Sequence, residues 1–238
     1  MFVLRNKFLM PPIKLGYSSD GRVNERHINF YTARSEDLGA VIIEPLYLDR
    51  GLREIPTQLG IDDVDKVEGL LTLVRAIHDK GAKVIAHLNH PGRMANPKIE
   101  GNYFISSTER PCENGGAKPE RMEGEDFDRV RELFVRAGVR AEKAGFDYLE
   151  VQFGHGYLFA QFISPAVNDR EDDYGGDFKN RIKFPLEVLS AVMEAVSLPV
   201  IARISAEEMV PGGISLDEMV EFAKILEQMG VCNSCNRW

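Results

Sequence analysis

Cysteine and long apolar runs are scarce in this sequence. Three cysteines, Cys112, Cys232 and Cys235, are an odd number in a chain of 238 residues, which does not suit a disulfide framework. The chain contains no run of the roughly 18 apolar residues that a membrane span needs. The start, Met1–Lys7, carries charges where a secretory leader would be apolar. We therefore expect a cytoplasmic protein that does not bind a membrane.

Positive charge is also in short supply. The 29 lysines and arginines are outnumbered by 37 aspartates and glutamates, and the net charge at pH 7 is −8. Proteins that bind nucleic acid neutralise phosphates with clusters of Lys and Arg, and this chain has no such cluster. The composition, 44% hydrophobic and 28% charged, is that of an ordinary globular protein. The expected partner is a small-molecule substrate, and the sequence leaves a homo-oligomer open.

Short apolar runs rich in Val and Ile recur along the chain at intervals that leave room for helices. They do not alternate strictly between apolar and polar residues, which is typical of parallel strands covered on both faces. The predicted strands are Lys7–Met10, Ala40–Leu46, Lys83–Leu88, Tyr148–Phe153 and Pro199–Ile204.

Amphipathic helices are predicted between these strands. The clearest apolar stripe has a 3-4-3-4-3 spacing. It consists of Phe127, Val130, Phe134, Ala137, Ala141 and Ala144. Gly145 follows this stripe, as Gly81 and Gly230 follow two others, and each glycine is predicted at the C′ position that ends a helix.

Cap residues mark the starts of other helices. Asn24 is predicted to cap the first helix, and Ser215 with Glu218 matches a capping box. Asp177 is predicted to open the fourth helix, and Pro185 should kink or restart it.

The chain therefore repeats a βα unit five times, which predicts either a doubly wound sheet or a (β/α)8 TIM barrel. The turn after the first strand, Pro11-Pro12-Ile13-Lys14, is not a glycine-rich phosphate loop. Polar residues collect where strands end, as in barrel active sites. They are Glu44, His87, Asn89, His90, Glu150, Gln152, His155, Arg203 and Ser205. These features favour the barrel, with residues 91–119 as a loop excursion over its active site.

The five units occupy residues 7–229, whereas a barrel has eight. The segment after Gly230 lacks the apolar run of a sixth strand. The sequence therefore predicts a single barrel domain over residues 1–238, truncated after about five βα units and incomplete at its C-terminus.

A metal site has weak support in the sequence. His87, His90 and His155 could converge with Glu44 or Glu150, but no His-x-His or His-Glu-x-x-His spacing occurs. We expect no metal.

The other histidines and the cysteines give no stronger site. His27 and His78 lie in predicted helices and are expected at the surface. Cys112 lies in a loop without a neighbouring base, so a loop thiol is the favoured reading. Cys232-x-x-Cys235 supplies two ligands where an iron–sulfur or zinc site needs four.

The stretch Gly145–Pro165 holds the richest set of chemical groups. Gln152 and His155 could donate hydrogen bonds to one carbonyl oxygen, and the phenol of Tyr157 could deliver a proton. The alternative reading is that His155 and Tyr157 only pack the turn.

Several motifs in this order resemble the old yellow enzyme family of FMN-dependent NAD(P)H:flavin oxidoreductases, in particular the branch of 2,4-dienoyl-CoA and enoate reductases. They cover the chain from residue 5 to about residue 230. The matching segments are Asn6–Pro12, His87-Leu-Asn-His-Pro-Gly-Arg93, Gly145–Phe162, Asn168–Gly176 with Asn180-Arg181, and Ala202-Arg-Ile-Ser205.

The resemblance implies a (β/α)8 barrel with FMN across its mouth and NAD(P)H as reductant. The main chain of Pro11–Lys14 would line the flavin, and Arg203 would stabilise its reduced, anionic ring. His87 stands where the family usually has a glutamine that hydrogen-bonds the flavin. Lys14 replaces a threonine or cysteine of the family.

The resemblance also implies a reaction. Hydride would pass from NAD(P)H through flavin N5 to the β-carbon of an α,β-unsaturated carbonyl compound. Gln152 and His155 match the pair that binds the carbonyl oxygen, with Gln152 replacing a histidine. Tyr157 matches the proton donor.

Two other functions stay open at this point. One is a catalytically inactive fragment of such a barrel that at most binds a ligand or a partner chain. The weaker one is a metal-dependent barrel lyase or hydrolase.

Overall fold

The computed structural model describes residues 4–113 and 115–231. Its main feature is a curled parallel sheet in the order β1-β2-β4-β7-β8, with β3 paired to β4. Its strands are β1 (Leu9–Met10), β2 (Ala40–Ile42), β3 (Leu46–Tyr47), β4 (Lys83–Asn89), β7 (Tyr148–Gln152) and β8 (Val200–Arg203). A second small sheet pairs β5 (Ile105–Ser106) with β6 (Glu120–Arg121). All of these strand pairs are parallel, as the repeated βα units predict.

Helices connect the strands of the main sheet. They are α1 (Glu25–Ser35), α2 (Val67–His78), α3 (Glu125–Lys143), α4 (Leu158–Ile163), α5 (Phe178–Ala195) and α6 (Leu216–Gln228). Short 3₁₀ turns occur at Arg50–Leu52, Val64–Lys66 and Gly92–Met94. In the part of the chain that the structure describes, no helix is both long and apolar enough to cross a bilayer.

Both faces of the sheet are buried, which explains why the strand sequences do not alternate. Val84 and Leu149 belong to the large core formed with the helices. Ile42, Ile85 and Ile201 form a smaller cluster on the inner face. Apolar residues are therefore required at successive positions of each strand.

The predicted run Ala40–Leu46 is two strands rather than one. Ile42 pairs with Ile85, and Leu46 pairs with Leu88. The chain therefore advances by four residues between these two pairs on the β2–β3 side and by three residues in β4. This extra residue makes a bulge. Pro45 lies in the interruption and has no N–H to donate to a neighbouring strand.

Local caps set the ends of the helices as predicted in most cases. Asn24 caps α1 and Ser215 caps α6, each within a capping box. Gly145 and Gly230 have positive φ angles of 80° and 86° directly after the caps of α3 and α6. Gly81 lies one residue further from the end of α2 than predicted, because the cap is Asp79.

Helix α5 continues through Pro185, so of the predicted kink or restart the restart does not occur. Asp177 is its N-cap residue, as predicted, although its side chain makes no capping hydrogen bond. Proline removes one backbone hydrogen bond from a helix. Pro185 is buried in α5, which packs against α3 and α4.

The excursion at residues 91–119 is attached to α4 through Gln161. The Gln161 amide donates hydrogen bonds to the carbonyl oxygens of Pro91 and Gly156, at 3.0 and 2.7 Å. Its Oε1 accepts hydrogen bonds from Arg93 N and Ser106 Oγ. A single buried side chain thus links the excursion to the segment that follows β7.

Candidate active site

Polar side chains gather at the carboxyl edge of the main sheet, where β4, β7 and β8 end. Side chains alternate along a strand, so His87 points to the same side of the sheet as the inner-face residue Ile85. The register sets His87 beside Glu150 and Gln152 beside Arg203. These four polar side chains therefore continue the inner face towards its carboxyl edge.

Glu150 connects His87 with Arg203. Its Oε1 lies 2.6 Å from His87 Nδ1 and 3.8 Å from Arg203 Nη1. The side chains of His87 and Glu150 are 2% and 5% exposed, whereas that of Arg203 is 30% exposed. A buried carboxylate is costly unless it is paired. The pairing therefore orients His87 and leaves a partly exposed guanidinium at the end of β8.

Gln152 and His155 form a second contact. Gln152 Nε2 lies 2.7 Å from His155 Nδ1, and the amide nitrogen can only donate, so the ring proton is on Nε2. Burial and, next, the charge of Arg203 lower the pKa of His155, which keeps the ring neutral at pH 7. His155 has a positive φ of 61°, and its backbone N–H donates a hydrogen bond to Ser205 Oγ at 3.0 Å. The turn thus holds a neutral imidazole with its Nε2–H as a donor.

Lys14 reaches Tyr157 from the loop after β1. Lys14 Nζ lies 3.1 Å from the Tyr157 hydroxyl and 2.6 Å from Glu54 Oε2. Asn89, the last residue of β4, donates a hydrogen bond to Glu54 Oε1 at 3.2 Å. The phenol therefore faces an ion pair at the same edge of the sheet.

The loop before Lys14 is more open to solvent. Pro11 and Ile13 are exposed, Ile13 to 49%, and Pro12 is half-buried. Because Lys14 contacts Tyr157, this loop and the turn after β7 lie side by side.

Sequence analysis missed the part that Glu54 and Glu150 play in these contacts. Glu150 was considered only as a strand-end residue and a metal ligand. Glu54 lies between β3 and α2, at the carboxyl edge of the second βα unit, and that position was the available signal. Its partner Lys14 is 40 residues away in the chain, and no local pattern pairs the two.

The surface prediction for His27 is wrong. His27 is 0% exposed, and its Nε2 lies 3.4 Å from Oε1 of the equally buried Glu44. His27 Nδ1 accepts from Asn24 N in the cap of α1, which fixes the ring against the sheet. Tyr31 OH accepts the Glu44 backbone N–H at 2.8 Å. Glu44 is therefore paired with α1 and makes no contact with His87 or His155.

His78 and the candidate metal ligand His90 are each held by another contact. His78 Nε2 is partly exposed and bonds Asp147 Oδ2 at 2.7 Å, at the amino end of the sheet. His90 accepts from Gly92 N in a buried turn, and burial lowers its pKa to about 3. Among the described residues, no three His, Cys, Asp or Glu side chains lie close enough to hold a metal ion. Cys232 and Cys235 lie outside these residues.

A cavity of about 760 Å³ adjoins His155. Arg93, Arg110 and Cys112 line it from the excursion, and Glu207 lines it from the loop after β8. Cys112 is half-buried in its wall. The cavity is large enough for a small organic molecule beside the His155 ring.

The sequence matches the NADH:flavin oxidoreductase / NADH oxidase family over residues 1–236. The chain belongs to this family. The family resemblance found in the motifs is thus confirmed.

Bacterial members of the family are more than a third identical to the chain over the matched region. An NADH oxidase of Thermoanaerobacter brockii is 38% identical over 236 residues, which are 96% of this chain and 36% of the relative. An NADPH dehydrogenase of Clostridium acetobutylicum is 36% identical over 234 residues, which are 95% of this chain and 68% of the relative. The chain thus spans about a third of one relative's length and two thirds of the other's.

Solved structures of the family have the same fold. Morphinone reductase is 26% identical with a TM-score of 0.85, and the match covers 96% of this chain and 66% of that enzyme. An old yellow enzyme homologue from Zymomonas mobilis is 25% identical with a TM-score of 0.87, and the match covers 97% of this chain and 68% of that enzyme. The curled sheet therefore corresponds to part of a TIM barrel in these enzymes.

The groups at the carboxyl edge fit a flavin. Gln152 Oε1 and Asn89 Oδ1 are buried without a hydrogen-bond partner, which is rare for polar atoms inside proteins. Within residues 4–113 and 115–231, the Arg203 guanidinium has no polar contact besides the long ion pair with Glu150. The pyrimidine edge of a flavin carries one N–H donor between two carbonyl acceptors, so it could bind groups of both kinds.

Proposed function

We propose that this chain is the barrel part of an FMN-dependent oxidoreductase that uses NAD(P)H to reduce the double bond of an α,β-unsaturated carbonyl compound. The observation that carries the proposal is that Gln152 at the end of β7 contacts a neutral His155 in the turn that leads to Tyr157, beside Arg203 at the end of β8. Family membership supports the flavin and the nicotinamide reductant.

FMN would lie across the carboxyl edge of the sheet. Arg203 and His87 would contact its ring, together with the main chain of Pro11–Lys14. When bound, FMN would supply the two-electron hydride chemistry at this edge. The guanidinium of Arg203 would favour the negatively charged, reduced form of the ring by Coulomb attraction.

His155 and Gln152 would bind the substrate carbonyl. The His155 Nε2–H is free to donate, and one N–H of the Gln152 amide remains after its contact with His155. Negative charge grows on the carbonyl oxygen as the β-carbon receives hydride. A fixed donor at such an oxygen contributes about 2.7–4 kcal/mol to the stability of the transition state.

Tyr157 would complete the reduction by protonating the α-carbon. Burial raises the pKa of its phenol, so the hydroxyl is protonated at pH 7 and can act as an acid. The cavity beside His155 would receive the rest of the substrate, because it opens next to the donor that orients the carbonyl group.

An anaerobic titration of the purified chain tests this function. We expect the protein to take up FMN. NADPH or NADH should then bleach the flavin absorbance. Addition of 2-cyclohexen-1-one should restore the absorbance and form one equivalent of the saturated ketone. A bleached flavin that the enone does not reoxidise would contradict the ene-reductase assignment. Failure of the folded protein to take up FMN would instead support a catalytically inactive ligand-binding chain.

A further inference from the structure

The phenol of Tyr157 is bonded to an ion pair built from two other parts of the chain. Lys14 comes from the loop after β1 and Glu54 from the segment between β3 and α2, whereas Tyr157 lies in the turn after β7. The Lys14 ammonium lies 2.6 Å from Glu54 Oε2 and 3.1 Å from the phenol oxygen. The Lys14 and Glu54 side chains are only 28% and 8% exposed, so water screens their charges weakly.

Other hydrogen bonds hold Glu54 in place. Asn89 Nδ2 donates to its Oε1, and its backbone N–H donates to Gln58 Oε1 at 2.8 Å. Asn96 Nδ2 donates to its carbonyl oxygen at 3.1 Å. Because the carboxylate is fixed, it also fixes the ammonium group against the phenol.

The direction of the hydrogen bond follows from the groups themselves. An ammonium group has donors and no acceptor, so the Tyr157 oxygen accepts from Lys14, and its own O–H is left to donate to another acceptor, with Glu54 within reach. A positive charge at this distance stabilises a phenolate, and the Glu54 carboxylate opposes it. Among the described residues, Lys14 and Glu54 are the charged groups that act on Tyr157.

We propose that Lys14 and Glu54 are positioning residues that together set the acidity of Tyr157. The proposal rests on the proposed function, in which Tyr157 is the proton donor. When the Tyr157 O–H bond breaks, its proton joins the electron pair on the substrate α-carbon and forms the new C–H bond. The electron pair of the O–H bond stays on the phenol oxygen, where the Lys14 ammonium stabilises it until a proton from solvent restores the hydroxyl.

The two charges act on the phenol in opposite directions. Burial raises the pKa of Tyr157 most, the charge of Glu54 and a hydrogen bond to it raise it further, and the charge and hydrogen bond of Lys14 lower it. Loss of the ammonium should therefore make the phenol a weaker acid, and loss of the carboxylate should make it a stronger one. A purely structural contact would not give shifts of opposite sign.

Fluorine NMR of the protein labelled with a fluorinated tyrosine measures this acidity directly. The label brings phenol ionisation into an accessible pH range, and Tyr157→Phe identifies the resonance of Tyr157. Lys14→Met should raise the titration midpoint by about 1–3 pH units, as expected for loss of a close opposite charge. Glu54→Gln should lower the midpoint, and Lys14→Arg should restore it towards the unmodified protein.

Lys183→Met is the matched control, because Lys183 lies over the ring of a different tyrosine, Tyr174. It should leave the Tyr157 midpoint unchanged. Equal midpoints in Lys14→Met, Glu54→Gln and the unmodified protein, or shifts in the same direction, would overturn the proposal.

The titration separates this proposal from the proposed function, because it needs no flavin and its result does not depend on whether the chain reduces alkenes. A kinetic measurement then tests the role of Lys14 in the reaction. In the enone step, the alkaline limb of the pH profile should move by the same amount as the NMR midpoint in Lys14→Met. A profile that stays in place while the midpoint moves would refute the role of Lys14 in proton donation.

Discussion

His155 has a backbone conformation that few residues adopt, and its neutral side chain is fixed by Gln152. Its φ of 61° lies in the left-handed region, where Asn is tolerated better than most residues. The proposed function requires the side-chain N–H donor of His155, whereas the turn requires only its positive φ angle. Substitutions at His155 can therefore test the donor separately from the backbone conformation.

His155→Ala should slow reoxidation of the reduced flavin by 2-cyclohexen-1-one by about 100-fold or more, because one donor to the developing oxyanion is lost. His155→Asn should retain much of the rate, since its amide can donate and its backbone tolerates the turn. Stopped-flow absorbance of the enone step measures both variants. Equal rates for His155→Ala and the unmodified protein would remove His155 from carbonyl binding.

Tyr157→Phe should slow the same enone step by about 100-fold, the lower end of what a positioned general acid contributes. Reduction of the flavin by NAD(P)H should change little, because that step needs no proton from the phenol. The two half-reactions are recorded separately under anaerobic conditions. A similar loss in both would contradict the assignment of Tyr157 as proton donor.

At the scale of secondary structure elements, Asp147 connects α2, β4 and β7 at the amino end of the sheet. Its carboxylate accepts from Lys83 Nζ at 2.6 Å and Val84 N at 2.8 Å, and it pairs with His78. Burial alone would raise the pKa of Asp147, but these hydrogen bonds lower it overall. Barrel residues at this end serve stability rather than catalysis.

Asp147→Asn should therefore lower the free energy of unfolding by about 1–3 kcal/mol at pH 7, because a buried acceptor for several donors is replaced. A depressed carboxylate pKa stabilises the fold above the unfolded-state value of about 4 and loses that effect as pH falls. The difference from the unmodified protein should shrink below about pH 4. Urea unfolding at several pH values measures it.

Asp79→Asn is the control, since Asp79 is an exposed aspartate at the end of α2. It should change stability little at any of these pH values. A pH-independent loss in Asp147→Asn would show that the charge of Asp147 does not contribute.

Local signals predicted the elements better than the contacts between them. The caps at Asn24 and Ser215 depend on neighbours within three residues, so the sequence alone reveals them. The buried stripe of α1 is His27, Tyr31 and Ser35, which are polar, and a search for apolar periodicity therefore assigns His27 to the surface.

In the site, too, local motifs predicted residues better than contacts. Motif positions predicted His87, Gln152, His155, Tyr157 and Arg203, and all lie at the carboxyl edge of the sheet. Their individual roles stay predictions. The pairing of Lys14 with Glu54 depends on how three loops meet, which is a property of the folded sheet rather than of any segment.

At the scale of the whole molecule, parallel strand order brings together residues that are far apart in sequence. The loop after β1 meets the turn after β7, and the end of β4 meets the end of β8 through Glu150. The proposed function depends on one claim, that this edge binds a flavin ring. Arg203 offers the clearest test, because it is the partly exposed cation of the cluster.

Titration of the purified chain with FMN, followed by quenching of flavin fluorescence, tests the claim most directly. We expect saturable binding of one FMN per chain. Arg203→Gln should bind FMN at least about tenfold more weakly than the unmodified protein, because a charged hydrogen-bond donor is lost. Arg5→Gln, which removes a charge from an exposed arginine bonded to the carbonyls of Ser35 and Leu38, should bind FMN like the unmodified protein. No saturable binding by the folded chain, or equal affinity in Arg203→Gln, would contradict the claim.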